Sequence, residues 1–203
     1  MKLHINKYCY FLISTKNKST PDDALNPTMT TYNFLGTKLN ACWLSPMIEL
    51  EIVKNIFDLA IQHKIPLHSS IKPYHFGHQW NIAHYYSCNG GNNSDDDIFY
   101  EGNHWLFSNN TLQTWIYNID NKIIMEIAPS YPWSDVEPKE GEIIYSFEAF
   151  MQNYKPVAIH EISIKTAQKW IKQADTYIKT VEAQYPEWYQ KNKDSLFYLK
   201  HDA

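Results

Sequence analysis

The chain has 203 residues, a net charge of −4 and 20% charged residues, which is typical of one globular domain spanning residues 1–203. All 18 basic residues are lysines. Without arginine the chain lacks the usual bidentate clamp for phosphate or guanine, and its acidity opposes binding to a phosphate backbone, so no nucleic-acid partner is expected.

Two further features of the whole chain indicate its compartment. No apolar run approaches the ~18 residues of a membrane span, and the N-terminal MKLHINKYCYFLIST is interrupted by polar residues and lacks a cleavage site, so no membrane partner is expected. Cys9, Cys42 and Cys88 are odd in number and show no CxxC spacing. This usage fits a reducing compartment, and we expect a cytoplasmic protein.

The first third of the chain is predicted to contain two strands and one helix. Leu3–Ser14 alternates large apolar residues and reads as a strand, Lys16–Gly36 as a loop rich in turn residues, and Leu39–Leu44 as a short strand. A helix is predicted over Pro46–Lys64, because apolar residues recur there at helical spacing after Ser45, a good N-cap, and a proline at the first helical position.

Pro66–Asn110 is predicted to be the least regular part of the chain. Aromatic residues and histidines alternate through YHFGHQWNIAHYYSC without a clear period, and the polar stretch Asn89–Asp97 is predicted to be a surface loop. The returning segment IFYEGNHWLFS contains apolar residues around a Glu-Gly-Asn turn, which is typical of a strand.

Thr111–Ala128 is predicted to be a β-hairpin. Two runs rich in β-branched and aromatic residues flank Asp120 and Asn121, which tolerate the positive φ of a type I′ turn. This turn predicts pairing of Ile119 with Lys122, Tyr117 with Ile124 and Trp115 with Glu126. One face is then aliphatic and the other aromatic and half polar, so we expect the hairpin to lie inside a sheet that is covered on both sides.

The C-terminal part is predicted to be mainly helical. A short helix is expected over Tyr145–Tyr154 with Ser146 as its cap, and a strand over Pro156–Ile162. Ile164–Tyr185 carries the clearest apolar stripe, and Pro186 then begins a final helix. The predicted fold is therefore α+β, with an antiparallel or mixed sheet of about five or six strands and two main amphipathic helices packed on it.

Six of the nine histidines lie between His63 and His104. Three of them, His75, His78 and His84, offer imidazoles to zinc with a water in the fourth position, as in a metal-dependent hydrolase that uses segment 63–104. Pro73 and Gly77 argue against a helix there, so His75 and His78 are not expected on one face. We therefore predict no metal or other cofactor, and the zinc hydrolase stays an alternative.

No segment matches a known catalytic motif. His84 and Cys88 with the acidic run Asp95–Asp97 allow a Cys-His-Asp arrangement to be imagined, but such partners meet through folding and the spacing is not specific. Walker, GxGxxG, GxSxG, HExxH and deaminase patterns do not occur. No catalytic residue is therefore predicted.

The sequence favours a binding function. Aromatic residues make up 15% of the chain, and Trp and Tyr suit interfaces because each combines an apolar body with a polar tip. We expect a small binding protein of the kind typified by bacterial inhibitors and toxin-immunity proteins. The predicted anchors, and the charged rim that steers a basic protein partner, are Trp80, Tyr85, Tyr86 and Trp105, with Asp95, Asp96 and Asp97.

Two other outcomes stay open for this aromatic segment. Its rings could instead fill a core beneath a long loop, in which case alanine substitutions lower the melting temperature rather than the affinity for a partner. The third function considered is carbohydrate binding, with sugars stacked on exposed tryptophan, and it is disfavoured by the lack of a recognisable secretion signal.

Overall fold

The computed structural model describes residues 1–13, 28–90, 105–109, 111–134 and 136–196. Within these ranges the chain forms two antiparallel four-stranded sheets and five helices, which confirms the predicted α+β class. The strand count differs from the prediction: a sheet of about five or six strands was expected, and the eight described strands divide equally between two sheets. The chain forms two compact units, Met1–Gln62 with Ser163–Ala203, and His63–Ile162, and the single domain stays a prediction.

The strands are numbered in chain order. They are β1 Lys2–His4, β2 Cys9–Ile13, β3 Thr28–Phe34, β4 Thr37–Leu44, β5 Trp105–Ser108, β6 Leu112–Ile119, β7 Lys122–Pro129 and β8 Ala158–Ile162. The helices are α1 Pro46–Ile61, α2 Phe76–Cys88, α3 Phe147–Gln152, α4 Ile164–Gln184 and α5 Pro186–Leu196. In each sheet the strands lie in the order in which the chain visits them, β1 to β4 in the first unit and β5 to β8 in the second.

The segment predicted as one strand, Leu3–Ser14, is two strands in the structure. The side-chain oxygen of Asn6 accepts hydrogen bonds from the backbone N–H groups of Tyr8 and Cys9, at 2.8 and 2.9 Å. Asparagine favours turns because its side chain can satisfy the backbone in this way. The chain therefore reverses between β1 and β2, and the two strands pair antiparallel.

The predicted loop Lys16–Gly36 contains strand β3, while its residues 16–27 lie outside the described ranges. Leu35 and Gly36 both have positive φ, 51° and 91°, and they connect β3 to β4 in a two-residue hairpin turn. The prediction overlooked a signal, because Gly36 follows the β-branched and aromatic run TMTTYNF.

The long helices of the first unit follow the predicted pattern. Helix α1 begins after Ser45, whose Oγ accepts from the N–H of Ile48, and α4 begins after Ser163, whose Oγ accepts from the N–H of Thr166. The two helices pack against each other. Trp170 on α4 is fully buried, lies edge-on to Phe57 of α1 with 5.1 Å between ring centroids, and donates its Nε1–H to the carbonyl of His4 at 3.2 Å.

The predicted hairpin of the second unit is confirmed in register. Ile119 pairs with Lys122, Tyr117 with Ile124 and Trp115 with Glu126. The two turn residues Asp120 and Asn121 have φ of 47° and 61°, as a type I′ turn requires. Both faces of this hairpin are buried along most of their length, which agrees with the prediction that it lies within a covered sheet.

The prediction that Pro66–Asn110 is irregular is wrong for α2. Pro73 lies before this helix, and Gly77 is in its first turn. A Cβ at Gly77 would lie 2.3 Å from the Cβ of Ala128 on β7 and 2.7 Å from the hydroxyl oxygen of Tyr154. Glycine is present here because the helix start lies against the hairpin, and a sequence pattern cannot distinguish this close approach from a helix break.

The apolar core of the second unit lies between α2 and the aromatic face of the hairpin. Phe76 and Trp80 of α2 pack against Trp115 of β6, with ring centroids 4.6 and 5.7 Å apart.

Among the described residues, no helix combines the length and the apolarity that crossing a membrane requires.

Candidate functional site

An aromatic cluster surrounds Tyr131 in the second unit. The ring of Tyr131 lies 5.3 Å from that of Phe147 and 5.7 Å from that of Tyr85, and Tyr85 stacks on Phe147 at 3.9 Å with nearly parallel planes. Helix α3 also contributes to the cluster. It begins after Ser146, whose Oγ accepts from the N–H of Ala149, so Ser146 is the cap that the sequence predicted. Successive turns of this short helix point Phe147 and Phe150 towards Tyr131.

Part of this cluster lies at the surface. We call the surface residues the aromatic surface, and they are Tyr85, Tyr86, Trp133, Tyr145 and Phe150. Tyr86 and Tyr145 are 51% and 42% exposed, while Tyr85, Trp133 and Phe150 are half-buried. Tyr145 lies 4.8 Å from Trp133 between ring centroids, which holds its ring in place although it is exposed. Rigid, partly exposed aromatic side chains are the usual anchors of protein interfaces.

The segment before Tyr145 extends this surface with aliphatic side chains. Ile143 and Ile144 are 88% and 60% exposed, and both precede Tyr145 directly. Single exposed apolar residues are ordinary on protein surfaces, whereas three in succession expose a larger apolar area. Apolar areas of this kind mark sites of interaction.

A groove of about 400 Å³ opens beside Tyr145. Its lining residues come from the end of β7, from α3 and from the segment after α3, and they are Pro129, Tyr145, Ala149, Phe150, Asn153, Tyr154 and Lys155. Three rings and a proline make most of this wall apolar. Such a groove can hold a large apolar side chain or a flat apolar ligand.

Carboxylates lie next to the aromatic surface. Glu142 accepts hydrogen bonds from the indole Nε1–H of Trp133 at 3.2 Å and from the backbone N–H of Lys139 at 2.9 Å. The hydrogen bond from Lys139, followed by that from Trp133, holds the pKa of Glu142 below its usual value. On α3, hydrogen bonds from its own backbone N–H and from Ser146 lower the pKa of Glu148. Both side chains are therefore negative at neutral pH.

A buried carboxylate lies beneath the start of α2. Glu126 is fully buried: Oε1 accepts from the N–H of Gly77 at 2.9 Å, and Oε2 accepts from the N–H of Phe76 at 3.1 Å and from the hydroxyl of Tyr117 at 2.7 Å. Burial raises the pKa of Glu126 although these donors act in the opposite direction. The side chain caps α2 from a neighbouring strand, a role that local sequence cannot indicate.

Tyr154 lies close to this buried carboxylate and also lines the groove. Its ring lines the groove and lies edge-on to His78 at 5.1 Å, whereas its hydroxyl is buried and has no hydrogen-bond partner within the described residues. Burial, with a smaller contribution from Glu126, raises the pKa of Tyr154. A ligand in the groove therefore contacts the ring of Tyr154 and not its hydroxyl.

Of the histidines considered as zinc ligands, His75 directly precedes α2, and His78 and His84 lie on it. The rings of His75 and His78 are 5.9 Å apart, and His84 stacks on Trp80 at 4.4 Å. Burial, with a smaller contribution from His75, lowers the pKa of His78. Nowhere in the described part of the chain do three His, Cys, Asp or Glu side chains come together as a metal site would need. No residues in these ranges therefore form a site for the zinc of the alternative hydrolase.

The Cys-His pair imagined from the sequence is present on α2. Cys88 Sγ lies 3.8 Å from Nε2 of His84, and Cys88 is exposed. The thiol is on the last residue of α2, whereas reactive cysteines are activated at helix N-termini or beside cations. The acidic residues Asp95–Asp97 lie outside the described residues. The geometry therefore gives this pair no clear activation as a nucleophile.

The predicted anchors have different environments. Trp80 is only 6% exposed and belongs to the core between α2 and the hairpin, whereas Tyr85 and Tyr86 belong to the aromatic surface. Trp105 begins β5, but its side chain lies outside the described residues, as do Asp95, Asp96 and Asp97. The roles of all these residues in binding stay predictions.

Sequence reasoning missed most of the aromatic surface. Trp133 lies in the proline-rich segment PSYPWSDVEPKEGE and Tyr145 and Phe150 follow it, and the sequence predicted no binding role for any of the three. A signal was present, because that segment and the predicted helix after it contain aromatic residues and the isoleucine pair Ile143 and Ile144 among turn-forming and acidic residues. Apolar residues in an irregular segment have no helix or strand face on which to be buried.

Comparison of the chain with protein-family models, with curated proteins and with solved structures found no match in any of the three.

Proposed function

We propose that this protein binds another protein through the aromatic surface of its second unit, in the manner of inhibitors and toxin-immunity proteins that act by occupying their target. The observation that carries the proposal is the exposed run of Ile143, Ile144 and Tyr145 beside the groove. Burying this run against a partner removes apolar area from water, at roughly 25 cal/mol per Å² before the costs of association.

The structure of the surface fits the anatomy of an interface. Half-buried rings such as Trp133 and Phe150 are already fixed by their neighbours, so little side-chain entropy is lost when a partner covers them. The carboxylates of Glu142 and Glu148 then form a polar rim around an apolar centre. This combination supports binding to a protein rather than a purely structural role for these rings.

The test begins with the proteins encoded next to this chain's gene, because inhibitors tend to be encoded beside their targets. Each is titrated with the purified chain by calorimetry. For the partner that binds, Tyr145→Ala should weaken affinity by about 30-fold or more, since anchors contribute ~2 kcal/mol. Where the partner is toxic, co-expression of the wild-type chain should restore growth and Tyr145→Ala should restore less.

Tyr8→Ala is the matched control, because Tyr8 is a 58%-exposed tyrosine in a turn of the first unit. It should leave affinity within about twofold, as surface substitutions usually do. Equal losses of affinity in the two variants, or no loss in either, would contradict the proposed surface. Binding of oligosaccharides that disappears in Tyr145→Ala would instead favour the carbohydrate-binding alternative.

A further inference from the structure

We propose that the groove beside Tyr145 receives an apolar side chain from a positively charged segment of the partner protein. This inference rests on the proposed function and specifies the chemistry of the partner at that same surface.

The groove wall offers apolar contact and few free polar groups. Tyr145, Phe150 and Pro129 present rings, and Tyr154 presents its ring because its hydroxyl is buried. The amide of Asn153 already donates to the carbonyl of Ala149 at 2.8 Å. A polar ligand would therefore lose its hydration without matching hydrogen bonds, whereas an apolar side chain loses nothing comparable.

Its volume suits a single anchoring side chain. At about 400 Å³ the groove is near the lower end of the range for ligand sites, and Tyr145, one of its lining residues, is partly exposed. Anchors at protein interfaces insert into pockets of this kind while the surrounding residues exclude water. A tryptophan or leucine side chain fits this description, and its flanking residues then lie over the exposed isoleucines.

The charges next to the groove determine what flanks the anchor. Residues 136–152, which end with α3, carry four carboxylates against one ammonium group, and these are Glu137, Glu140, Glu142 and Glu148 against Lys139. Tyr145 lines the groove and contacts Trp133, which is hydrogen-bonded to Glu142, so this acidic segment borders the groove. Lys155 is the one cation among the lining residues, and the larger number of carboxylates in the neighbouring segment favours a basic partner segment.

Three blocked peptides test this chemistry in an NMR titration of the ¹⁵N-labelled chain: KKLWKK, EELWEE and KKSSKK. KKLWKK should shift the signals of Ala149, Phe150 and Asn153, which line the groove. It should bind about tenfold or more tightly than either of the others, because only KKLWKK combines the apolar side chain with the charge that the rim attracts. Raising the salt to ~0.5 M should weaken it several-fold, since exposed charges are then screened.

Two variants separate the contribution of the groove from that of the rim. Ala149→Trp places a large side chain in the groove and should abolish most KKLWKK binding without changing the rim charge. The double variant Glu137→Lys with Glu140→Lys should weaken KKLWKK several-fold and strengthen EELWEE. Glu187→Lys, an exposed charge reversal in the first unit, is the control and should change neither peptide by more than about twofold. Melting curves confirm that each variant is folded.

Several results overturn the inference. The inference is wrong if EELWEE binds more tightly than KKLWKK, or if KKSSKK binds as tightly as KKLWKK. It is also wrong if KKLWKK shifts only signals of residues outside the groove, or if it binds Ala149→Trp as tightly as the wild type. If KKLWKK does not bind but Tyr145→Ala still weakens the affinity for the partner encoded nearby, the proposed function stands and the inferred basic, apolar segment is wrong. If Tyr145→Ala also leaves the affinity for that partner unchanged, both proposals are wrong.

Discussion

The two units of this protein use aromatic residues in different ways. In the first unit Phe11, Tyr32, Phe57 and Trp170 are all fully buried. In the second, Trp115 and Tyr117 are buried in the same way, but a further set of rings around Tyr131 extends to the surface, where Tyr145 is 42% exposed. The high aromatic content therefore forms a packed core in both units and, in the second unit, a cluster of neighbouring rings that reaches the surface.

Helix length accounts for part of this difference. Helices α1 and α4 of the first unit have 16 and 21 residues, long enough for an apolar stripe to cover large side chains. In the second unit α3 has six residues, and its rings Phe147 and Phe150 pack against Tyr131. A short helix offers too little area to bury every ring it contacts, and Phe150 stays partly exposed.

The largest effect is expected for Trp170→Ala in the first unit. This change leaves a cavity beside Phe57 and removes the hydrogen bond to His4, so the free energy of unfolding should fall by about 3–5 kcal/mol. Denaturant unfolding measures it. Trp133→Ala in the second unit, where the ring is half-buried, should cost less than half as much, and equal costs would remove the contrast between the units.

Gly77→Ala tests the close approach of α2 to the hairpin. Helix propensity alone would stabilise the variant by about 1 kcal/mol. A collision with the Cβ of Ala128 at 2.3 Å should outweigh this gain and cost roughly 1–3 kcal/mol. In the double variant with Ala128→Gly, the loss should be smaller than the sum of the two single losses. A stabilised Gly77→Ala would show that the helix and β7 are further apart.

The pH dependence of stability should report on Glu126. Its pKa in the folded protein is raised above the ordinary value of 4.5, so the folded state binds this proton more tightly than the unfolded state. The resulting stability is present below pH 4.5 and is lost as the pH rises through the folded-state pKa. A pKa difference of one between the folded and unfolded states corresponds to about 1.4 kcal/mol.

Glu126→Gln cannot titrate at this position and serves as the reference for that measurement. The unfolding free energy of the wild type minus that of the variant should therefore fall between about pH 4 and the raised pKa. A difference that rises over this range would mean that the donors from Phe76, Gly77 and Tyr117 outweigh the cost of burial.

The smallest effect is expected for Tyr145→Ala on stability. Its ring is partly exposed and contacts Trp133, so the variant should lose only about 1 kcal/mol, and Tyr8→Ala in the first unit about 0.5 kcal/mol or less. Thermal unfolding of the two variants gives this comparison. A loss of several kcal/mol in Tyr145→Ala would identify the residue as part of the core and would remove the aromatic surface as a distinct feature.

Local chemistry made several elements predictable from the sequence. Asp120 and Asn121 determined the hairpin turn, and with it the register of every pair between β6 and β7. Ser45, Ser146 and Ser163 each follow the N-cap rule, and all three cap the helix that comes after them, although only the first two were predicted as caps. These features depend on residues a few positions apart, so a single sequence contains enough information to determine them.

Contacts between distant residues decided the rest. Helix α2 begins where it does because Glu126, about 50 residues further along the chain, accepts from its first N–H groups, and because Gly77 lets the helix start lie against Ala128. The aromatic surface likewise brings Tyr85 from α2 onto Phe147 from α3. Spacing along the chain does not encode such distances, so the candidate binding surface became visible only in the tertiary structure.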